Sequence, residues 1–264
     1  VLIPTEYDKE LWKVAADAAK DVIDNYGYEL KKPDAESGEP TFDEVVENIR
    51  EITTTWGEDK NREIIWGHPN SIQWYARCAV PGRWYGWNGR YSLPLGMIND
   101  FFMADGSKAR PLEEWFENKE FSTEDGNGTI ANTFHMFVDR EPRFYAWVAF
   151  QNGYYEVLRR DGADDNANIV QTRFRKNDVF GIKERTTNYT PTGYLNKKGC
   201  SPLYNNIQED VAAPHYPWPV IRMAELYLNL AEAYANLGRI DEAVAALKPV
   251  RERAGLDPVD EAFE

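Results

Sequence analysis

Four of the nine tryptophans, Trp66, Trp74, Trp84 and Trp87, crowd into the stretch from Trp66 to Tyr91 together with Tyr75, Tyr85 and Tyr91. Hydrogen-bonding side chains are interleaved with them: His68, Asn70, Gln73, Arg77, Arg83, Asn88 and Arg90. At the centre, Pro81-Gly-Arg-Trp-Tyr-Gly-Trp-Asn-Gly-Arg-Tyr91 alternates aromatic with polar and carries three glycines, a pattern that suits neither a buried strand nor a helix face. An exposed loop that presents tryptophan to solvent needs a ligand to explain it. A pyranose supplies apolar C–H faces that stack on an aromatic plane and hydroxyls that need planar donors and acceptors at the edge. The predicted ligand-binding set is therefore Trp84, Tyr85, Trp87, Trp74, Tyr75, Arg83, Asn88 and Tyr91. Trp84, Tyr85 and Trp87 read as exposed contacts, Trp74 and Tyr75 read equally well as core or contact, and Trp66, in its Glu-Ile-Ile-Trp run, reads as core.

Other chemistry is poorly supported. His68, His135 and His215 lie far apart, with no paired nucleophile, no Gly-x-Ser-x-Gly elbow and no His-Glu-x-x-His zinc motif. Asp161-Gly-Ala-Asp-Asp-Asn166 lacks the glycine spacing and terminal glutamate of a calcium loop and reads as a solvated acidic loop. With 44 carboxylates some pair will fall at glycosidase distance by chance, and only Asp100 and Asp105 stand close in sequence to the aromatic loop. No catalytic residue, metal ligand or cofactor is assigned. Cys78 and Cys200 are too few for a disulfide scaffold; they could pair in an oxidising compartment, but read better as isolated core thiols. A net charge of −14 with scattered Lys and Arg argues against nucleic acid and favours a neutral or cationic ligand. There is no apolar run near the roughly 18 residues a membrane span requires.

The elements that must carry the loop are helical at both ends of the chain. From Glu6 to Tyr26, residues Leu11, Val14, Ala15, Ala18, Val22 and Tyr26 mark one helix face, stopped by Gly27. Thr41 and Glu44 form a capping box for a second helix through Phe42, Val45, Val46, Ile49 and Ile52, and the two read as a repeat pair. Near the C-terminus, Leu226, Leu230, Ala233, Tyr234 and Leu237 form one stripe, Gly238 stops it, and Ala243, Ala246, Leu247 and Val250 begin the next. The alanines let the two backbones approach as tetratricopeptide helices do, although an ordinary helical hairpin reads equally well. Short strand-like runs occur at Glu63 to Trp66, Phe144 to Phe150 and Thr172 to Arg175. The reading is a mainly α chain, a tetratricopeptide-like helical-repeat frame with an irregular, loop-rich, short-strand insertion. Its divisions are 1–60 (repeat helices), 61–213 (ligand-binding region) and 214–264 (C-terminal pair).

The run from Tyr216-Pro-Trp-Pro to Gly238, followed by Val250-Arg-Glu-Arg-Ala-Gly-Leu256, resembles the C-terminal signature of the SusD/RagB family. Phe101-Phe-Met-Ala-Asp-Gly106, Asp139-Arg-Glu-Pro-Arg-Phe-Tyr145 with Asn152-Gly153, and Thr192-Gly-Tyr194 with Lys197 and Lys198 resemble further family motifs in order and approximate spacing. Asp139, Arg140, Arg143, Arg251 and Arg253 then read as structural ion pairs. The resemblance implies a SusD-like fold and a non-catalytic cell-surface lipoprotein of the outer membrane. Such a protein captures oligosaccharide or polysaccharide for a SusC-like TonB-dependent transporter; capture of a peptide or another nutrient on the same scaffold is the alternative, and an α-rich glycoside hydrolase a distant one. Family members run to about twice this length, and the chain starts at Val1 without a leader or lipobox cysteine. Further repeat helices, the signal and the lipid anchor are thus expected outside this sequence.

Overall fold

A computed structural model describes residues 6–34, 38–57, 60–69, 73–81, 89–156, 169–183, 186–203, 216–257 and 259. Its helices are α1 (Lys9–Asn25), α2 (Phe42–Glu51), α3 (Gln73–Ala79), α4 (Leu95–Asn99), α5 (Leu112–Glu117), α6 (Pro142–Trp147), α7 (Met223–Asn236) and α8 (Ile240–Glu252). The strands are β1 (Ile64–His68), β2 (Val148–Ala149), β3 (Tyr154–Glu156), β4 (Ile169–Gln171), β5 (Leu195–Asn196) and β6 (Trp218–Arg222). They pair only two by two, β1 with β6, β2 antiparallel to β5 and β3 antiparallel to β4. The fold is mainly helical with short strands, as expected. Two compact units divide the chain: Val1–Lys32, Trp56–His68 and Pro219–Glu264 form one, Pro33–Thr55 and Pro69–Trp218 the other. The helices read as an N-terminal repeat pair take different partners, α1 packing along α7 and α2 on α6.

In the first unit α1 starts where the Asp8 carboxylate accepts from the Glu10 amide at 2.9 Å. Helix α7 ends where Gly238 takes a φ of 73° and Arg239 N bonds back to Tyr234 O at 2.9 Å. Ala16 and Ala19 of α1, Ala231 and Ala233 of α7, and Ala243 and Ala246 of α8 are all buried in one cluster, so small side chains set the close approach of three helices. The face of α1 predicted to be buried is not the one used. Leu11, Val14 and Tyr26 are exposed, while Trp12, Ala16, Ala19 and Ile23 pack inward. Helix α1 is apolar on two adjoining faces, and the alanine-bearing one fits closest to α7.

A single buried carboxylate ties this unit together. Glu63, just before β1, accepts from both Nη atoms of Arg253, from Arg222 Nη1 at 2.7 Å and from the Lys31 amide at 2.9 Å. Its own carbonyl caps α7 by accepting from Met223 N at 2.9 Å. The expected structural role of Arg253 is realised here, whereas Arg251 Nε donates to the Asp257 carbonyl.

The second unit is built on α2 and α6. Thr41 and Glu44 form the predicted capping box. The segment Phe144 to Phe150, read as strand-like, is instead the helix α6 running into β2. Pro142 occupies its first turn, where a fixed φ and a missing N–H are no handicap, and Phe144, Tyr145 and Ala146 are all buried. Strand β4 ends at Gln171, ahead of the predicted run, and Thr172 closes the ladder by donating to Gly153 O and accepting from Asn152 N, each at 2.9 Å.

Three buried cations hold the irregular backbone of this unit. Arg140 is fully buried and donates to the carbonyls of Met136, Ile98 and Phe101 at 3.1, 2.9 and 2.6 Å. It is therefore a carbonyl clamp and not the expected ion pair; burial lowers its pKa to about 10, which leaves it charged. Arg143 does pair, with Glu141, whose other bond is to the Phe102 amide. Arg50 reaches the carbonyls of Ala146, Lys197 and Cys200, and Lys197 Nζ reaches those of Tyr145 and Tyr154 at 2.6 and 3.0 Å. Glu156 sits between them, 2.8 Å from Lys197 Nζ and 3.6 Å from Arg50 Nη1. Burial alone would raise the Glu156 carboxyl, but Lys197 and Arg50 outweigh it and hold it below the usual glutamate range. Burial pulls Lys197 down to about 8, against the attraction of Glu156.

Replacing Lys197 with Met leaves Glu156 and two carbonyls without their donor. The expected loss in urea unfolding is about 3–5 kcal/mol, and a loss no larger than that of an exposed pair would contradict the hub. Since the folded Glu156 pKa is depressed, its contribution is complete above the unfolded value of about 4.3 and is lost as pH falls through the folded value. Glu156→Gln should flatten the acid limb of the Tm–pH curve, and an unaltered limb would count against this role.

Candidate functional site

The aromatic loop is carried on a well-defined stem in the second unit. Helix α3 buries Ala76, Cys78 and Ala79, and the returning chain closes on its end with Gly89 N bonded to Val80 O at 3.0 Å and Arg90 N to Cys78 O at 2.9 Å. Gly89 has a φ of 75° and lies so close to the next segment that a β-carbon there would meet the Tyr189 carbonyl carbon at 3.2 Å. Beyond it Tyr91 O accepts from Asn196 N at 2.8 Å, and Ser92 bridges to Leu195. The Thr192-Gly-Tyr194 segment and the lysines after it thus form the wall against which the loop is rooted.

At this root Tyr75 and Tyr91 stack with ring centroids 4.8 Å apart at an interplanar angle of 26°. Trp218 sets its edge on Tyr75 at 5.0 Å and 71°. The Tyr75 hydroxyl donates to Lys198 O at 2.6 Å and accepts from Asn196 Nδ2 at 2.7 Å, which orients the ring. Burial pushes that phenol well above its ordinary pKa, so it remains the donor that this bond requires. Gly199 leaves room for Trp218, since a β-carbon there would lie 3.0 Å from its Cζ3. Tyr91 is 37% and Trp218 41% exposed. The result is a partly exposed aromatic platform on a hydrogen-bonded base, able to stack an apolar ligand face.

Of the predicted contacts, the structure brings Tyr75 and Tyr91 together. Trp74 lies on α3 with its side chain outside the described residues, as are Arg83, Trp84, Tyr85, Trp87 and Asn88 altogether. The Asp161–Asn166 loop and His215 also lie outside them. Trp66 corrects the reading above: it is 59% exposed, because β1 belongs to a two-stranded ribbon and no further strand covers it. Trp218 was not foreseen; the only cue was a tryptophan held between Pro217 and Pro219. Asp105 is a turn residue whose carboxylate accepts from Ser107 N at 2.9 Å; hydrogen bonding from the Ser107 side chain, and then from its amide, lowers the Asp105 pKa. Cys78 and Cys200 are buried free thiols whose pKa values burial raises, which keeps both protonated and unreactive. Among the described residues, no helix is long and apolar enough to cross a membrane, and no cluster of His, Cys, Asp and Glu could hold a metal ion.

A model of the SusD family matches residues 53–264, and the chain belongs to that family. Among solved structures, BT4246 is 27% identical with a TM-score of 0.77, over 100% of this chain and 48% of that one. A SusD-like protein of Bacteroides fragilis NCTC 9343, BF3747, is 23% identical with a TM-score of 0.68, over 97% of this chain and 46% of that one. A SusD-like carbohydrate binding protein of the same strain, BF0978, shares the fold at 16% identity and a TM-score of 0.50, over 96% and 43%. The chain spans about half the length of these relatives. A search of curated proteins finds no match.

Gly89→Ala forces a β-carbon into both a left-handed backbone and the Tyr189 carbonyl. It should cost about 1–2 kcal/mol in thermal or urea unfolding, and a neutral effect would show that the loop is not rooted here.

Proposed function

We propose that the protein captures oligosaccharide or polysaccharide at the cell surface, without turning it over, and passes it to a SusC-like TonB-dependent outer-membrane transporter. The observation that carries this reading is the partly exposed platform of Tyr75, Tyr91 and Trp218, next in sequence to the run carrying Trp84, Tyr85 and Trp87, in a chain of the SusD family. Stacking gives a neutral sugar its affinity, about 0.5–1.5 kcal/mol per ring beyond area burial. Arg83, Asn88 and Asn196 provide edge hydrogen bonds that would select among sugars. The description of BF0978 as carbohydrate binding is in keeping with this role. Attachment to the outer membrane through a lipid anchor is part of the same proposal.

Binding without catalysis is supported by the electrostatics. Among the described residues, the carboxyls displaced from their ordinary values, Asp105, Glu156 and Glu242, are displaced downward. A glycosidase acid needs the opposite displacement to hold its proton at neutral pH. Asp105 and Glu242 are occupied by a turn and by an exposed pair with Arg239, and Glu156 belongs to the buried hub.

The test is an affinity-gel and isothermal titration screen against soluble glucans, xylans, mannans and pectic oligosaccharides, wild type beside a Trp84→Ala, Trp87→Ala double variant of unchanged circular dichroism. Expected are binding by the wild type, at least a tenfold loss in the variant, about 1.4 kcal/mol, and no released product. Product release would make the protein an enzyme. Binding of peptides and of no glycan would move the function to peptide capture.

A further inference from the structure

The first compact unit holds a second aromatic groove that the loop does not explain. It has a volume of about 620 Å³ and is lined by Tyr26, Tyr28, Trp56, Asn61 and Arg62 at the junction of α1 with the turn that precedes β1. Trp56 is 55% and Tyr26 63% exposed, a large apolar area to leave in water. Arg62, in the same lining, is held by hydrogen bonds: Nη1 donates to Glu29 Oε1 at 3.1 Å, Nη2 donates to Gly27 O, and its own carbonyl accepts from Glu29 N at 3.3 Å. Gly27, which ends α1 at a φ of 71°, makes this possible, since a β-carbon there would lie 3.1 Å from Arg62 Nη2. The turn below is closed by Asn61 N on Gly57 O at 2.8 Å.

We propose that this groove is a separate sugar-stacking site for a neutral oligosaccharide. Two exposed rings line the same groove as a planar guanidinium whose side chain is 48% exposed and which retains N–H groups beyond those given to Glu29 and Gly27. The Glu29 carboxylate, paired with Arg62, can accept hydrogen bonds from hydroxyls, so donor and acceptor stand side by side, as a polyol requires. Arg62 and Glu29 cancel in charge, which favours an uncharged ligand over an anionic one. A groove of this size lies within the range of small-ligand sites, about 300–1,000 Å³. A second stacking site would raise the avidity of the protein for a long chain without any new contact at the first. The ligand class is taken from the glycan-capture reading, but the site is independent of the loop.

The test is a Tyr26→Ala, Trp56→Ala double variant, both side chains being more than half exposed, titrated against the same soluble glycans beside the Trp84→Ala, Trp87→Ala variant. A single Trp56→Phe variant serves as the control that keeps a ring. The inference expects two classes of site in the wild type, one of them lost in the groove variant and kept in the loop variant, with Trp56→Phe binding more weakly than wild type but measurably. Retardation on a polymeric glycan should fall by about tenfold in the groove variant. An unaltered stoichiometry in the groove variant, with all binding lost in the loop variant, would overturn the groove and leave loop capture standing. Binding lost in the groove variant alone would keep the groove and remove the loop. No glycan binding by any of the proteins would overturn both.

Discussion

Irregular backbone cannot be buried unless its carbonyls find donors, and in this protein long cationic side chains supply them. Arg50, Arg140 and Lys197 lie in the interior of the second unit and between them hold the carbonyls of Met136, Ile98, Phe101, Ala146, Tyr145, Tyr154, Lys197 and Cys200. Strands of two or three residues offer too few ladder bonds to fix such loops. Each cation replaces a stretch of sheet. The desolvation of three cations is offset only in part by Glu156, and the rest is met by carbonyl dipoles that would otherwise be unsatisfied. Because the geometry works only with every partner in place, the hub also makes the backbone rigid around Asn196 and Lys198, the residues that orient Tyr75.

The first unit answers the same problem with the charges reversed. Glu63 is the buried centre, and Arg222, Arg253 and the Lys31 amide converge on it from α7's approach, from the end of α8 and from the segment after α1. A physical reason thus emerges for the motifs that mark the family in this sequence. Arg140, Lys197 and Arg253 belong to three of them, and all three serve as interior hubs. The sugar contacts proposed above are other residues, Trp218 and the Trp84–Asn88 segment of the sequence. Family membership therefore speaks to the scaffold more directly than to the sugar.

Much of the scaffold was legible because local signals decided it. The Thr41–Glu44 box and the Gly238 stop act within one turn of helix, and both formed as read. Where tertiary context chose between equal local options the reading failed. Helix α1 offers two apolar faces, and only the presence of Ala233 and its neighbours selects the one with Ala16 and Ala19. The Phe144 to Phe150 run is apolar enough for a buried strand, yet its first part, to Trp147, continues a helix begun at Pro142, and only Val148–Ala149 is strand. Trp66 was assigned to the core from its apolar neighbours, but a two-stranded ribbon leaves it bare. Of the predicted ligand-binding set, Tyr75 and Tyr91 come together in the fold. Trp218 and Trp56 are single aromatics far from the cluster, brought to a surface groove or platform by folding alone, and no spacing rule reaches that far.

The central claim is that a sugar stacks on the aromatic platform rooted by Tyr75. A crystal structure of the protein with the tightest-binding soluble oligosaccharide would test it most directly. The account predicts a pyranose ring with its C–H face against Tyr91, Trp218 or the Trp84–Trp87 segment, and its hydroxyls within hydrogen-bond reach of Arg83, Asn88 or Asn196. An oligosaccharide bound elsewhere, with the platform bare, would contradict it.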